Sequence, residues 1–254
     1  MKNSRVLFSV PYLIFMAVFV VFPLGLLFYY AFFVQGFSLE RFGNYFSSAD
    51  EMATLFRSIG FAFTAALFCI LIGYPAALIL ARSRSKFVPF ILLLLTAPMW
   101  VNGLLRTIAL GELFASRGAF MVIIGLTMDY LPFMLMPIYL VLKNIDKAYL
   151  EASTDLGANK WTTFYKVVLP LSMSGIISGF LMVFTPAVST YYLSAYLGDN
   201  TTFMLGEELN LMFTKNHDYS GGAVIAIVLL SFVLISFFIT NWLSKLGNKR
   251  GGII

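Results

Sequence analysis

Cysteine occurs once, at Cys69 inside an apolar run, so the chain cannot form an internal disulfide. Histidine is as scarce: His217 stands alone, which argues against a histidine-rich metal site and against Ser-His or Cys-His catalysis. Charged side chains make up only 11% of the residues, against roughly 25% in a soluble domain. No G-x-x-x-x-G-K-[ST], H-E-x-x-H or G-x-S-x-G pattern is present, and no pair of intramembrane aspartates. The chain is therefore expected to have no nucleotide-binding loop, and these patterns argue against a catalytic or histidine-based metal site. It also lacks a low-complexity basic tail or aromatic-basic interleaving, so no nucleic-acid partner is expected.

What the chain has in abundance is apolar length. Hydrophobic residues account for 60% of its 254 positions, too many to be covered by polar surface in water. The bilayer is the expected solvent. Apolar runs of spanning length fall at 6–34, 55–80, 87–108, 120–142, 171–192 and 221–243. The first resembles a signal peptide behind Lys2 and Arg5, but it is far longer than a secretory h-region and has no small-residue cleavage site. It reads as a retained span. The expectation is an all-α integral membrane protein, one domain over 1–254, with six transmembrane helices.

Lysine and arginine set the orientation. Twelve of the 17 basic residues fall on one side, including Lys2, Arg5, Arg82, Arg84, Lys86, Lys143 and Lys147. Arg41, Arg57, Arg106, Arg117 and Lys215 fall on the other. Both termini and the polar island at 146–170 are expected to be cytoplasmic.

That island reads E-A-S-T-D-L-G-A-N-K-W-T-T-F-Y-K-V-V-L-P from Glu151 to Pro170. Asp146 suits a helix start, and Glu151 lies near enough to that end to favour the helix dipole. Tyr149, Ala152, Ser153 and Leu156 share a face, and Gly157 is a natural stop. Asn159 can begin a second short helix carrying Trp161, Phe164, Tyr165 and Val168, with Pro170 leading into the fifth span. The aromatics either meet a partner or pack on the protein's own helix ends.

The island also carries a family pattern: E-A-A, three residues, Gly, nine residues, Ile, one residue, Leu-Pro. Here it is Glu151-Ala152-Ser153, Gly157, Val167 and Leu169-Pro170, with Ser and Val as mild replacements. The chain thus resembles the permease subunits of bacterial ABC importers. Ile72-Gly73-Tyr74-Pro75, Ala97-Pro98-Met99-Trp100 with Asn102 and Arg106, and Leu131-Pro132-Phe133-Met134 narrow the likeness to the B-type permeases of spermidine/putrescine importers. The segment between Arg106 and Pro132 is shorter than that family usually carries.

The resemblance implies a type I ABC importer permease fold in the bacterial inner membrane. It implies a coupling helix, with Glu151, Ala152, Ser153, Leu156, Gly157, Trp161 and Phe164 seated in an ATPase. The partners implied are an ATP-binding subunit dimer, a second homologous permease and an extracytoplasmic binding protein. ATP and Mg would be used by the ATPase, and no cofactor would be held by this chain. A self-contained secondary carrier for a small organic cation is the alternative; the lack of an internal broken-helix repeat counts against it.

Polar groups within the spans mark a candidate path. Asn102 and Arg106 are four apart and would share a helix face, with Arg106 either lining the path or snorkelling outward. Asp129 either meets a cation or pairs with Arg106. Trp100, Tyr191 and Tyr192 either hold an ammonium by cation–π contact or anchor the membrane interface. Glu207 and Glu208 lie in a helical-looking stretch of the 193–220 loop, which either contacts the binding protein or is solvated.

Overall fold

The computed structural model describes residues 10–34, 39–114 and 116–251, with side chains described as far as residue 239. Lys2, Arg5 and the start of the span read at 6–34 lie outside the described residues. Among the described residues, eleven helices follow one another. They are α1 (Val10–Phe32), α2 (Glu40–Ser47), α3 (Ala49–Arg82), α4 (Val88–Thr96), α5 (Gly103–Leu113) and α6 (Ala119–Lys143). After them come α7 (Lys147–Asp155), α8 (Lys160–Ser189), α9 (Tyr192–Leu197), α10 (Leu205–Thr214) and α11 (Tyr219–Gly251). Five helical stretches are long and apolar enough to cross a membrane: α1, α3, α6, α8 and the Tyr219–Ile239 part of α11.

The third apolar run differs from the single span expected at 87–108. It forms two helices, α4 with a short turn to Trp100, then α5, bent by 92° at the break, and taken together the pair is long and apolar enough to make a sixth, broken span. The cause is local. Val101 is extended, and the Asn102 side chain starts a new helix by accepting a hydrogen bond from the Leu104 N–H at 2.9 Å. Hydrophobicity alone does not register such a break.

Two compact units divide the described chain. In the larger, built mainly on Thr54–Glu207, the helices meet through small residues. Ala62, Ala65, Ala66, Cys69, Gly73 and Ala77 are buried along one face of α3, while Phe56, Phe63, Leu67, Leu71 and Ile79 point outward. This is the pattern expected where lipid is as apolar as leucine and close backbone contact does the holding. Cys69 is an interior side chain, its thiol 3.5 Å from the Thr127 carbonyl.

Helices α6 and α8 pack through Gly175 and Gly179. A Cβ at Gly175 would lie 3.0 Å from the Pro137 carbonyl oxygen, and one at Gly179 would lie 3.0 Å from that of Met134. We expect Gly179→Leu to push the two helices apart and cost at least about 1–3 kcal/mol. Gly60→Leu, where a Cβ meets nothing within 4 Å, is the control. Thermal unfolding in detergent should show a lowered midpoint for the first and none for the second.

Prolines are absorbed rather than helix-breaking. Pro75, Pro132, Pro137 and Pro186 all sit inside continuous helices. Two others follow a widened π turn: Ala17–Val21 before Pro23, and Phe164–Val168 before Pro170. The wider turn relieves the clash between a proline ring and the carbonyl four residues earlier. As a result α8 runs unbroken from Lys160 through Pro170, where the sequence suggested a short helix and a fresh start.

The smaller unit contains α1, α2 and the Glu208–Phe232 stretch. Ala31, Ala223 and Ile227 form its buried centre, with Leu27, Phe32 and Phe42 packed against it. Phe32 and Phe42 stack at 5.0 Å, and Tyr30 meets Tyr219 at 5.8 Å.

Candidate functional site

Two groups of residues stand out in the larger unit. The first is the polar segment between α6 and α8. Asp146 accepts from the Ala148 N–H at 3.0 Å and Asn159 from the Thr162 N–H at 2.8 Å, so each new helix has its own side-chain cap. Between them Gly157 takes φ +77°, a left-handed turn that closes α7. The Ser153 and Thr163 hydroxyls meet at 2.9 Å and tie the two helices together. The segment is ordered by its own hydrogen bonds.

Its surface is apolar at the tip. Leu156 is 89% exposed and Trp161 72%, with Tyr149 and Tyr165 also open. Glu151 and Ala152 are exposed, and Ser153 is half-buried. Trp161 stacks on Tyr165 at 6.3 Å. Phe164 behaves differently from its expected display beside Trp161: it turns inward and meets the Tyr74 ring edge-on at 5.9 Å. Phe164 thus packs on the protein's own helices, while Trp161 stays exposed. Beside α7 a hollow of about 500 Å³ is lined by Val141, Asn144, Asp146, Tyr149 and Leu171.

The second group surrounds the bend between α4 and α5. A cavity of about 460 Å³ is lined by Trp100, Asn102, Gly103, Arg106, Asp129, Tyr130, Phe133 and Tyr192. Asp129 is 5% exposed. One of its oxygens is 3.1 Å from Arg106 Nη2, and the other accepts from the Tyr192 hydroxyl at 2.9 Å. Of the two fates open to Asp129, pairing with Arg106 is the one observed. Arg106 Nε remains buried without a partner. Both carboxylate oxygens are engaged, so a cation entering the cavity must compete with Arg106 or approach the tyrosine rings instead.

Asn102 is not on the helix face shared with Arg106, because its side chain is spent as the cap of α5. Trp100 is widely exposed at the cavity mouth. Tyr191 meets Tyr192 edge-on at 5.6 Å but does not line the cavity. Gly103 and Tyr130 were not singled out by sequence, and Phe133 only as part of the Leu131–Met134 stretch. Gly103 matters most: a Cβ there would lie 2.6 Å from the Tyr192 hydroxyl, so glycine makes room for the Tyr192–Asp129 bond. No sequence signal marks that role.

Comparison with known proteins then places the chain. Residues 73–246 match the family model described as binding-protein-dependent transport system inner membrane component. The chain is 34% identical over 231 residues to the spermidine/putrescine transport system permease protein PotB of Escherichia coli strain K12, covering 82% of this chain and 84% of that one. A bacterial ABC transporter involved in importing the acidic polysaccharide alginate shares the fold, with TM-score 0.76, 15% identity and 96% of each chain covered. The MetNI methionine ABC transporter in an inward-facing conformation gives TM-score 0.64 at 17% identity, over 79% of this chain and 99% of that one. Its helices have the fold of ABC importer permeases, and the chain belongs to the family of binding-protein-dependent transport system inner membrane components, as a multi-pass membrane permease.

Proposed function

We propose that this permease carries polyamines, of the spermidine/putrescine class, as one half of a translocation path completed by a second homologous permease. The observation that carries the cargo is its 34% identity to relatives named for spermidine and putrescine, across four fifths or more of their length. A path rich in tyrosine and tryptophan suits alkylammonium cations, which aromatic faces attract by about 0.5–2 kcal/mol per ring.

The driving subunit is a separate ATPase dimer that uses ATP and Mg, since this sequence has no phosphate-binding loop of its own. In this reading α7 and the turn at Gly157 seat in that ATPase, with Leu156 and Trp161 as apolar anchors and Glu151, Ala152 and Ser153 on the contact face. Phe164 acts from inside, bracing the segment against Tyr74. Trp100, Asn102, Asp129, Tyr191 and Tyr192 are proposed for the substrate path or its edge. An extracytoplasmic binding protein delivers the cargo, and the bias of lysine and arginine puts both termini and α7 in the cytoplasm.

The test is reconstitution of the full assembly in liposomes with its binding protein. Spermidine or putrescine should raise ATP hydrolysis severalfold and enter the vesicles only when ATP is on the α7 side. Stimulation by unrelated solutes but not by amines, or uptake by this chain alone, would overturn the reading.

A further inference from the structure

The smaller unit buries three oxygen atoms that have no donor. Tyr45, on α2, is 4% exposed, and Glu208, on α10, is 9% exposed. Glu51 lies in the first turn of α3, at the opposite end of that helix from Arg82. The Tyr45 hydroxyl, Glu51 Oε2 and Glu208 Oε2 are each shut off from solvent and each lack a hydrogen-bond partner. They act on one another. Both carboxylates bear on the Tyr45 phenol, whose ionisation burial and these charges push upward. Burial, and then the Glu51 charge, raise Glu208 to about 7.

Such a grouping is unusual, because buried polar atoms are almost always paired. Two carboxylates beside a phenol would normally draw in a lysine or arginine. Among the described residues the ion pair is Arg106–Asp129, and no basic side chain closes on Glu51 or Glu208. The missing partner must therefore bring its own donors and positive charge. A divalent metal fits poorly: calcium takes about six to eight oxygen ligands, and magnesium demands a near-octahedral set. Among the described residues no cluster of three or more metal-binding side chains exists. A primary ammonium fits well, since it presents three N–H donors to three acceptors.

We propose that Tyr45, Glu51 and Glu208 form a binding site for a primary ammonium group, taking one end of an alkylamine and made of residues distinct from those around Asp129. Only the identity of the physiological amine rests on the polyamine reading. Charge-assisted bonds hold the ligand, and Tyr45 contributes its oxygen as acceptor while burial excludes water. A proton on Glu208 competes with the ligand. The titratable groups that face Glu208 are Glu51 of α3 and Tyr45 of α2, so binding tightens as pH rises from about 6 to about 8 and Glu208 ionises.

The test uses the intact assembly in nanodiscs, without the binding protein, and n-butylammonium as the probe. Saturable binding should weaken about tenfold or more in Glu208→Gln and in Glu51→Gln, and lose its pH dependence in Glu208→Gln. Tyr45→Phe, which keeps the ring, should weaken it by less. Tetramethylammonium, with no N–H, should not compete. Gln at 208 relieves a buried charge and supplies donors, so that variant is expected to fold. Unchanged butylammonium affinity in folded Glu208→Gln overturns the site, as does equal competition by tetramethylammonium. Glu208-dependent binding of butylammonium in an assembly that fails to import spermidine would instead uphold the site and refute the polyamine cargo.

Discussion

Gly157→Pro should reduce import to background while the protein stays inserted at normal abundance. Gly157 holds φ +77°, and its N–H donates to the Thr154 carbonyl at 2.9 Å. Proline fixes φ near −65° and has no N–H, so both features are lost at once and α7 must leave its present direction. Nothing lies within 4 Å of a Cβ built at Gly157, which makes the defect purely one of backbone conformation. A graded series follows. Gly157→Asn, tolerated in left-handed turns, should retain most activity, and Gly157→Ala, at a backbone cost of about 1–2 kcal/mol, should be intermediate. Glu151→Lys reverses a charge on the exposed side of α7 and should uncouple hydrolysis from transport without altering the fold. The readouts are substrate-stimulated ATP hydrolysis, uptake, and membrane abundance by quantitative blot. Full uptake by Gly157→Pro at normal abundance would remove α7 from the coupling role.

The second large effect is expected at the α5–α6 ion pair. Asp129→Asn removes the charge opposite Arg106 and leaves a half-buried guanidinium without compensation. Breaking a pair in this setting costs about 1–3 kcal/mol, reduced from the fully buried case because Arg106 keeps 23% of its side-chain surface open. Abundance should therefore fall along with uptake. The double variant Arg106→Gln/Asp129→Asn replaces the ions with two amides that can bond to each other, and it should restore abundance. If Asp129 serves the substrate path, uptake stays low in the double variant while basal ATP hydrolysis is normal. Recovery of uptake together with abundance would make the pair a structural tie at the bend and nothing more.

Local rules carried much of this structure. Asp146, Gly157 and Asn159 could be read directly because a cap and a left-handed stop involve residues within three or four positions of one another. The small-residue face of α3 and the apolar spans likewise follow from composition along one helix. What escaped depended on neighbours distant in sequence. Phe164 turns inward because Tyr74, ninety residues earlier, offers it a ring. Asn102 caps α5 because Val101 leaves the helical conformation after a short turn containing Pro98, which a hydropathy run across 87–108 conceals. Tyr45, Glu51 and Glu208 lie on three helices, and nothing in their separate sequence surroundings announces that their buried oxygens act on one another. Pro170 misled for a different reason: a π turn let the helix continue past it.

That continuity has a mechanical side. Helix α8 is 30 residues long, about 45 Å end to end, and no loop interrupts it. Its first residue follows the Asn159 cap beside the Gly157 turn, and its last is followed by Thr190, Tyr191 and then Tyr192, whose hydroxyl holds Asp129. A stiff rod of this kind does not let its ends move independently along its axis. The π turn at Phe164–Val168 is a compliant point close to the Asn159 end. If α7 couples to an ATPase as proposed, a stroke delivered at Asn159 would be partly spent in that joint, and the remainder would reach the far end as a tug on a single phenol.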